Sequence, residues 1–174
     1  MPKTRKEKDS LGNIEVPARA FYGAQTARAV ENYPISGMRA HSLLIRALAM
    51  VKRAAAETNK KLGLVDAHRA DAISKAAQEV IDGKWDEEFL VDVFQAGAGV
   101  SFHMNANEVI ANRANQLLGG KLGEYAHVHP NDHVNYGQST NDVFPTAMRL
   151  ATLLALEDLY PVLDSLAGTF EKKA

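Results

Sequence analysis

The segment from about residue 142 to 173 limits the fold more than any other. From Ala147 to Leu156 it is apolar almost all round, with Arg149 and Thr152 the only polar residues. A helix of that kind needs neighbours on several sides, so it should be buried in a bundle. Pro161 falls near its middle and should kink or interrupt it, because proline removes a backbone donor and crowds the preceding turn. The earlier helical stretches supply one covering layer at most. The chain is therefore expected to be the front part of a longer protein, or to oligomerise along this helix. A compact four-helix domain that covers the helix itself is the alternative.

The residues leading into this helix are chemically dense. From His129 to Asp142 the chain gathers imidazoles, amides and hydroxyls, then turns abruptly apolar. Ser139, Thr140, Asn141 and Asp142 all favour helix starts, and Pro145 is best tolerated in a first turn. Ser139, Thr140 and Asn141 should thus stand at the positive end of a helix, where backbone N–H groups lack intrahelical partners. Hydroxyls and an amide beside such a terminus suit a carboxylate or phosphate. A well-capped helix without a ligand accounts for the same residues.

Upstream, residues 3–17 read as a small hairpin or extended arm with a turn around Asp9 to Asn13. Residues 22–32 read as a short helix stopped near Pro34. Ser42 to Leu62 is an amphipathic helix, with Leu44, Ala47, Met50, Val51, Ala54 and Ala55 on one face and Lys52, Arg53, Glu57 and Lys60 on the other. Asp66 starts the next helix, striped by Ala72, Ile73, Ala76, Val80 and Ile81 and ending at Gly83. Residues 84–99 are irregular, and a further helix spans roughly 102–118. No internal repeat is present.

That helix follows Gly97-Ala-Gly99, and glycines ahead of a helix let a ligand approach the backbone closely. Asn105, Glu108, Asn112 and Asn115 run along its polar side, whereas Asn107 falls with Ile110, Ala111, Ala114 and Leu118. A buried amide without partners costs about 1–3 kcal/mol. Asn107 should therefore tie down the backbone of a neighbouring loop or orient a ligand-binding one.

Composition excludes several classes. The chain has 174 residues, 46% hydrophobic and 24% charged, enough for a domain with its own core. A net charge of −1 without a basic block argues against a nucleic-acid surface. The charged start is no secretory signal, and no apolar run reaches membrane-spanning length. The absence of cysteine rules out disulfides and thiolate metal sites, and a cytoplasmic protein fits. His127, His129 and His133 beside Asp132 have a spacing that zinc accepts, but Pro130 breaks any helix there. Solvated loop histidines or an anion-binding role fit better, so neither metal nor cofactor is expected.

Five segments in order resemble the aspartase/fumarase family of lyases: Glu7 to Gly12, Phe21 to Thr26, Glu31 to Gly37, Met104 to Asn112, and 129–147. The resemblance runs from end to end and implies a mainly α fold. Residues 1–140 would form the N-terminal helical lyase domain with its hairpin or arm. Residues 141–174 would form the first long helix of a truncated central helical bundle. It also implies a homotetramer, and anti elimination from a small succinate-type dicarboxylate to release fumarate. By position, Ser139, Thr140 and Asn141 resemble the substrate-binding run, and His129, Asn131 and Asp132 resemble the second anion site of fumarases. The general-base serine and its companions lie downstream in family members, so no catalytic residue is expected here and the chain alone should be inactive.

Two departures stand out. Val100 replaces the usual threonine after the Gly-Ala-Gly turn, with Ser101 as a candidate substitute donor to substrate, and Phe102 and His103 follow where a small polar residue and asparagine are usual. Character is also mixed. His129 to Asp132 leans towards fumarase, whereas His133 to Asn135, Gln138 to Asp142, Met50 to Ala55 and Glu79 to Trp85 lean towards aspartase. The favoured expectation is an ammonia-lyase acting on L-aspartate, with fumarate hydratase second. A non-catalytic helical assembly subunit is the expectation from another class.

Overall fold

The computed structural model describes residues 3–174, and Met1 and Pro2 lie outside the described residues. Strands β1 (Thr4–Asp9) and β2 (Gly12–Pro17) pair antiparallel, from Thr4 opposite Pro17 to Asp9 opposite Gly12. Gly12 closes the turn at φ +112°, where a side chain would be strained. The helices are α1 (Ala24–Asn32), α2 (Ser42–Lys61), α3 (Ala67–Ile81), α4 (Val100–Leu117) and α5 (Thr140–Lys173). Short helical turns lie at 86–88, 97–99 and 130–134. The architecture is the mainly α one expected, with a hairpin rather than a loose arm.

Local chemistry accounts for the boundaries. His41 caps α2 by accepting from Leu43 N–H, and Lys60 and Lys61 stand at its negative end. Asp66 caps α3 by accepting from Arg69 N–H. Alanines at 47, 49, 72, 76, 77, 106, 111 and 114 are buried, so α2, α3 and α4 approach closely around Ile45, Leu48, Ile73, Val80, Val109 and Ile110.

Two faces differ from the periodic reading. On α2 the buried residues are Ile45, Ala47, Leu48, Ala49, Lys52 and Ala56, while Ala54 is exposed. Lys52, expected on the solvent side, is 0% exposed. On α4 the expected polar face is interior: Asn105, Glu108, Asn112 and Asn115 are all buried. Asn107 neither ties a loop nor orients one. Its amide donates to Met104 Sδ at 3.4 Å, and its Oδ1 has no partner among the described residues.

The reason for a polar interior helix is visible at Glu108. One carboxylate oxygen accepts from Gly23 N–H, Thr26 N–H and Thr26 Oγ1–H, and the other from Gln25 N–H. Glu7 accepts from Ala24 N–H at 3.0 Å. The first turn of α1 is thus capped by two buried carboxylates from distant segments. Burial pushes the Glu108 carboxyl above its usual range, and these donors hold it back. Gly23 is required there, because a Cβ would stand 2.8 Å from Glu7 Oε2.

α5 runs continuously through Pro145 and Pro161, so the interruption expected at Pro161 does not occur. Val143 and Ala147 are buried against the core, but Leu153, Leu159, Tyr160, Val162, Leu163, Leu166 and Phe170 are exposed. Beyond Ala151 the helix is therefore largely uncovered by the described residues, and the compact four-helix alternative is not what forms.

Two outcomes follow from this packing. Glu108→Gln replaces an all-acceptor group by one that must point an N–H at other donors. It should lower stability by about 2–3 kcal/mol in a denaturant titration, while Glu15→Gln on the exposed hairpin stays within about 0.5 kcal/mol. The bare stripe on α5 should make the chain self-associate. Sedimentation should show dimers or larger species that Leu153→Glu and Leu163→Glu dissociate, and a monomer at high concentration would contradict this.

Candidate functional site

Ser139 is the N-cap of α5, extended at φ −109° and ψ 141°. Its Oγ accepts from Asn141 N–H at 3.3 Å, and its carbonyl accepts from Asp142 and Val143 N–H. The hydroxyl–amide run therefore stands at a helix N-terminus, as expected. Ser139 and Asn141 are exposed and Thr140 is half-buried. Pro145 lies in the second turn, not the first, and its missing N–H leaves the Asn141 carbonyl without a helical donor.

The second group gathers on a different wall. His129, Pro130 and Asn131 line an open cavity of about 620 Å³ with Ser101, Gln25, Arg28, Tyr125 and Glu108. Asp132 is exposed, with Oδ2 3.2 Å from His129 Nδ1. Pro130 does not break the backbone here; it begins a one-turn π-helix over 130–134. His129 caps that turn through Nδ1, which accepts from Asn131 and Asp132 N–H, and His133 Nδ1 accepts from His129 N–H. Burial lowers the His133 pKa. Arg28 brings a cation to the cavity, but Asp9 holds it at 2.7 Å.

Ser101 thus keeps company with His129 and Asn131, away from Val100, which is exposed at the start of α4. The helical step between the two residues separates their side chains by about 100°.

The Ser139–Asn141 run instead reaches the core through two residues that periodicity assigned no role. Thr140 Oγ1 is hydrogen-bonded to His103 Nδ1 at 2.7 Å. The other ring nitrogen, His103 Nε2, is hydrogen-bonded to Lys52 Nζ. Lys52 also donates to Asn135 Oδ1 at 3.0 Å and Gln138 Oε1 at 2.8 Å. Burial takes the Lys52 pKa well below its usual range, and burial with the neighbouring Lys52 charge lowers that of His103 to about 3. Lys52 looked like a solvent-side residue on charge alone. The available signal was His103, noted as unusual in its place.

The surrounding loops are pinned from α4. Asn115 Oδ1 accepts from His127 and Val128 N–H, and its amide donates to Val128 O at 2.6 Å. Asn112 accepts from Gly123 N–H and donates to Phe21 O. The loop-tying expected of Asn107 falls to these two. Within the Gly97–Gly99 turn Gly99 serves packing, since a Cβ there would enter the Phe144 ring, while one on Gly97 would meet nothing within 4 Å. Phe144 also stacks on Phe102, with ring centroids 6.1 Å apart.

Residues 12–174 match the protein family described as lyase. A fumarate hydratase class II from Halobacterium salinarum is 60% identical over 98% of this chain and 36% of its own length. An aspartate ammonia-lyase from a Bacillus species is 52% identical over 98% of this chain and 36% of its own length. Among solved structures, a fumarate lyase:delta crystallin from Brucella melitensis in native form superposes with a TM-score of 0.94 at 51% identity, covering 97% of this chain and 40% of that one. The chain spans a little over a third of the length of the curated relatives it matches.

Gly99→Ala tests how α4 and α5 are joined at the site. Gly99 sits at φ +75°, so the substitution adds backbone strain to the clash with Phe144. A loss of about 1–3 kcal/mol is expected in thermal or denaturant unfolding. Phe144→Leu in the same background should recover part of it, because the two changes act on one contact.

Proposed function

The chain belongs to the lyase family that it matches, and we propose that it forms the carboxylate-binding part of an enzyme that eliminates a group from a succinate-type dicarboxylate to release fumarate. The observation that carries this reading is Thr140, a half-buried hydroxyl at the N-terminus of a 34-residue helix, flanked by the exposed Ser139 and Asn141. Taking a proton from the carbon beside a carboxylate builds a second negative charge on that group. Preorganised donors act best on charge that develops only in the transition state. Ser139, Thr140 and Asn141 offer such donors; His129 and Asn131, which line the cavity with Ser101, and the exposed Asp132 beside His129 would serve as a second anion-binding group.

For the leaving group, the 60% identity to a fumarate hydratase favours water, with malate as substrate. Ammonia from L-aspartate is the second reading. It is favoured by the aspartase-like residues His133 to Asn135 and Gln138 to Asp142 and by the 52% identity to an aspartate ammonia-lyase. Residues 1–140 act as one unit and 141–174 begin the next, which pairs with further copies to complete a tetrameric assembly. The proton-abstracting base is contributed from outside residues 1–174, so this chain alone is inactive.

In a full-length enzyme carrying this chain, Thr140→Val should raise KM and lower kcat for the working substrate, a combined loss of about ten- to hundredfold. Asn141→Ala should reduce turnover of aspartate more than of malate if ammonia is the leaving group, and of malate at least as much if water is. Steady-state kinetics on both substrates measure this. Unchanged constants for both variants would reduce the run to a helix cap.

A further inference from the structure

Lys52 is wholly buried and its three partners are neutral: His103 Nε2, Asn135 Oδ1 and Gln138 Oε1. The direction of two of these bonds is fixed by the amides. Gln138 donates its NH2 to Val134 O at 2.9 Å, and Asn135 directs its NH2 to Gln138 O at 3.4 Å. Both amide oxygens therefore face Lys52 as acceptors, and Lys52 must donate to both.

With a neutral imidazole, two proton arrangements then remain. With Lys52 as ammonium, its third N–H goes to His103 Nε2. The ring must then carry its proton on Nδ1 and donate to Thr140 Oγ1, which leaves the Thr140 hydroxyl proton free to point outward. With Lys52 neutral, its lone pair accepts from His103 Nε2–H. The Thr140 proton then turns inward to Nδ1, and the hydroxyl offers only lone pairs to anything outside. An oxyanion at the start of α5 bonds to the first arrangement and is repelled by the second.

We propose that His103 is a positioning residue that, held by Lys52 in its Nδ1–H tautomer, commits the Thr140 hydroxyl proton to a bound carboxylate. The proposal rests on the functional reading above only in taking that anion to be a substrate carboxylate. Burial works against the ammonium, and three acceptors for its three donors offset that cost; no carboxylate stands among these partners. Its charge is answered, through His103 and Thr140, by the anion that binds. The imidazole is buried and stays neutral, as the relay requires. Its two nitrogens span from α2 to the first residue of α5, so α4 transmits the position of a buried cation to an exposed helix terminus.

The tautomer is directly observable in this chain. With nitrogen-15 histidine, two-bond proton–nitrogen correlation separates a protonated ring nitrogen from a bare one, and His103→Asn identifies the His103 signals by their loss. The expected pattern is protonated Nδ1 and bare Nε2. An Nε2–H tautomer or an imidazolium would overturn the proposal. Lys52→Met should move His103 towards the Nε2–H form while circular dichroism shows the helices intact. If that variant fails to fold, the tautomer in the unaltered chain decides alone.

In the full-length enzyme, His103→Leu should cost about ten- to hundredfold in kcat/KM, like Thr140→Val. It should add little when combined with Thr140→Val. His103→Asn should recover part of that loss, since its amide N–H takes the Nδ1 position and can donate to Thr140. A leucine variant as active as the parent, or losses that multiply, would also overturn the relay. An enzyme inert on both malate and aspartate would sink the functional reading instead, and the tautomer would still decide the relay.

Discussion

A helix that buries its polar side chains must find their partners inside the protein, and α4 imposes that condition on the rest of the chain, with Asn105 Oδ1 and Asn107 Oδ1 left unmatched among the described residues. Glu108 is satisfied only if the first turn of α1 arrives with its N–H groups free. Asn112 and Asn115 are satisfied only if the 123 and 127–128 segments fold back over the helix. His103 requires Lys52 from α2 and Thr140 from α5. An unmet buried donor or acceptor costs about 1–3 kcal/mol, so each match removes alternative packings. The apolar contacts between α2, α3 and α4 supply the drive to collapse, and the polar ones select a single arrangement.

Much of this was legible in the residues, for physical reasons that differ by element. Helix limits came through caps: Asp66 before α3, Gly83 after α3, and Ser139 before α5 each act on the nearest backbone groups, so they act alike in sequence and structure. The location of Ser139, Thr140 and Asn141 at a helix start was readable for the same reason. Lys52 was not readable, because a charged residue inside an amphipathic pattern is almost always solvated, and only the distant acceptors at 103, 135 and 138 make burial tolerable. The polar side of α4 misled in the same way. Four polar residues at helical spacing look like a wet face, and what turned them inward is the first turn of α1 and the backbone at 21, 88, 123 and 127–128.

Glycines and prolines divide similarly. Gly12 was read as a turn and is one. The Gly97–Gly99 turn was read as an approach for ligand, but the group that approaches Gly99 is Phe144. Pro161 was expected to kink or interrupt α5, and no interruption occurs: the helix continues through it. The cost of a proline is one hydrogen bond and some crowding, and an exposed helix with strong apolar propensity on both sides tolerates it.

The length of α5 gives the site its mechanical setting. At about 1.5 Å per residue, 34 residues extend about 50 Å. The stack of Phe144 on Phe102 and the close approach of Phe144 to Gly99 hold the helix near its start, and Val143 and Ala147 bury alongside. Thr140 lies four residues from that anchor, about 6 Å along the axis, whereas the exposed apolar residues run from Met148 to Phe170. Leu150 and Ala151 also pack against the core, so about the first three turns of α5 are held, and Thr140 lies within them. The bond from His103 restrains it further. A helix end that must hold a hydroxyl within hydrogen-bonding distance of a ligand is thereby insulated from whatever covers the other end.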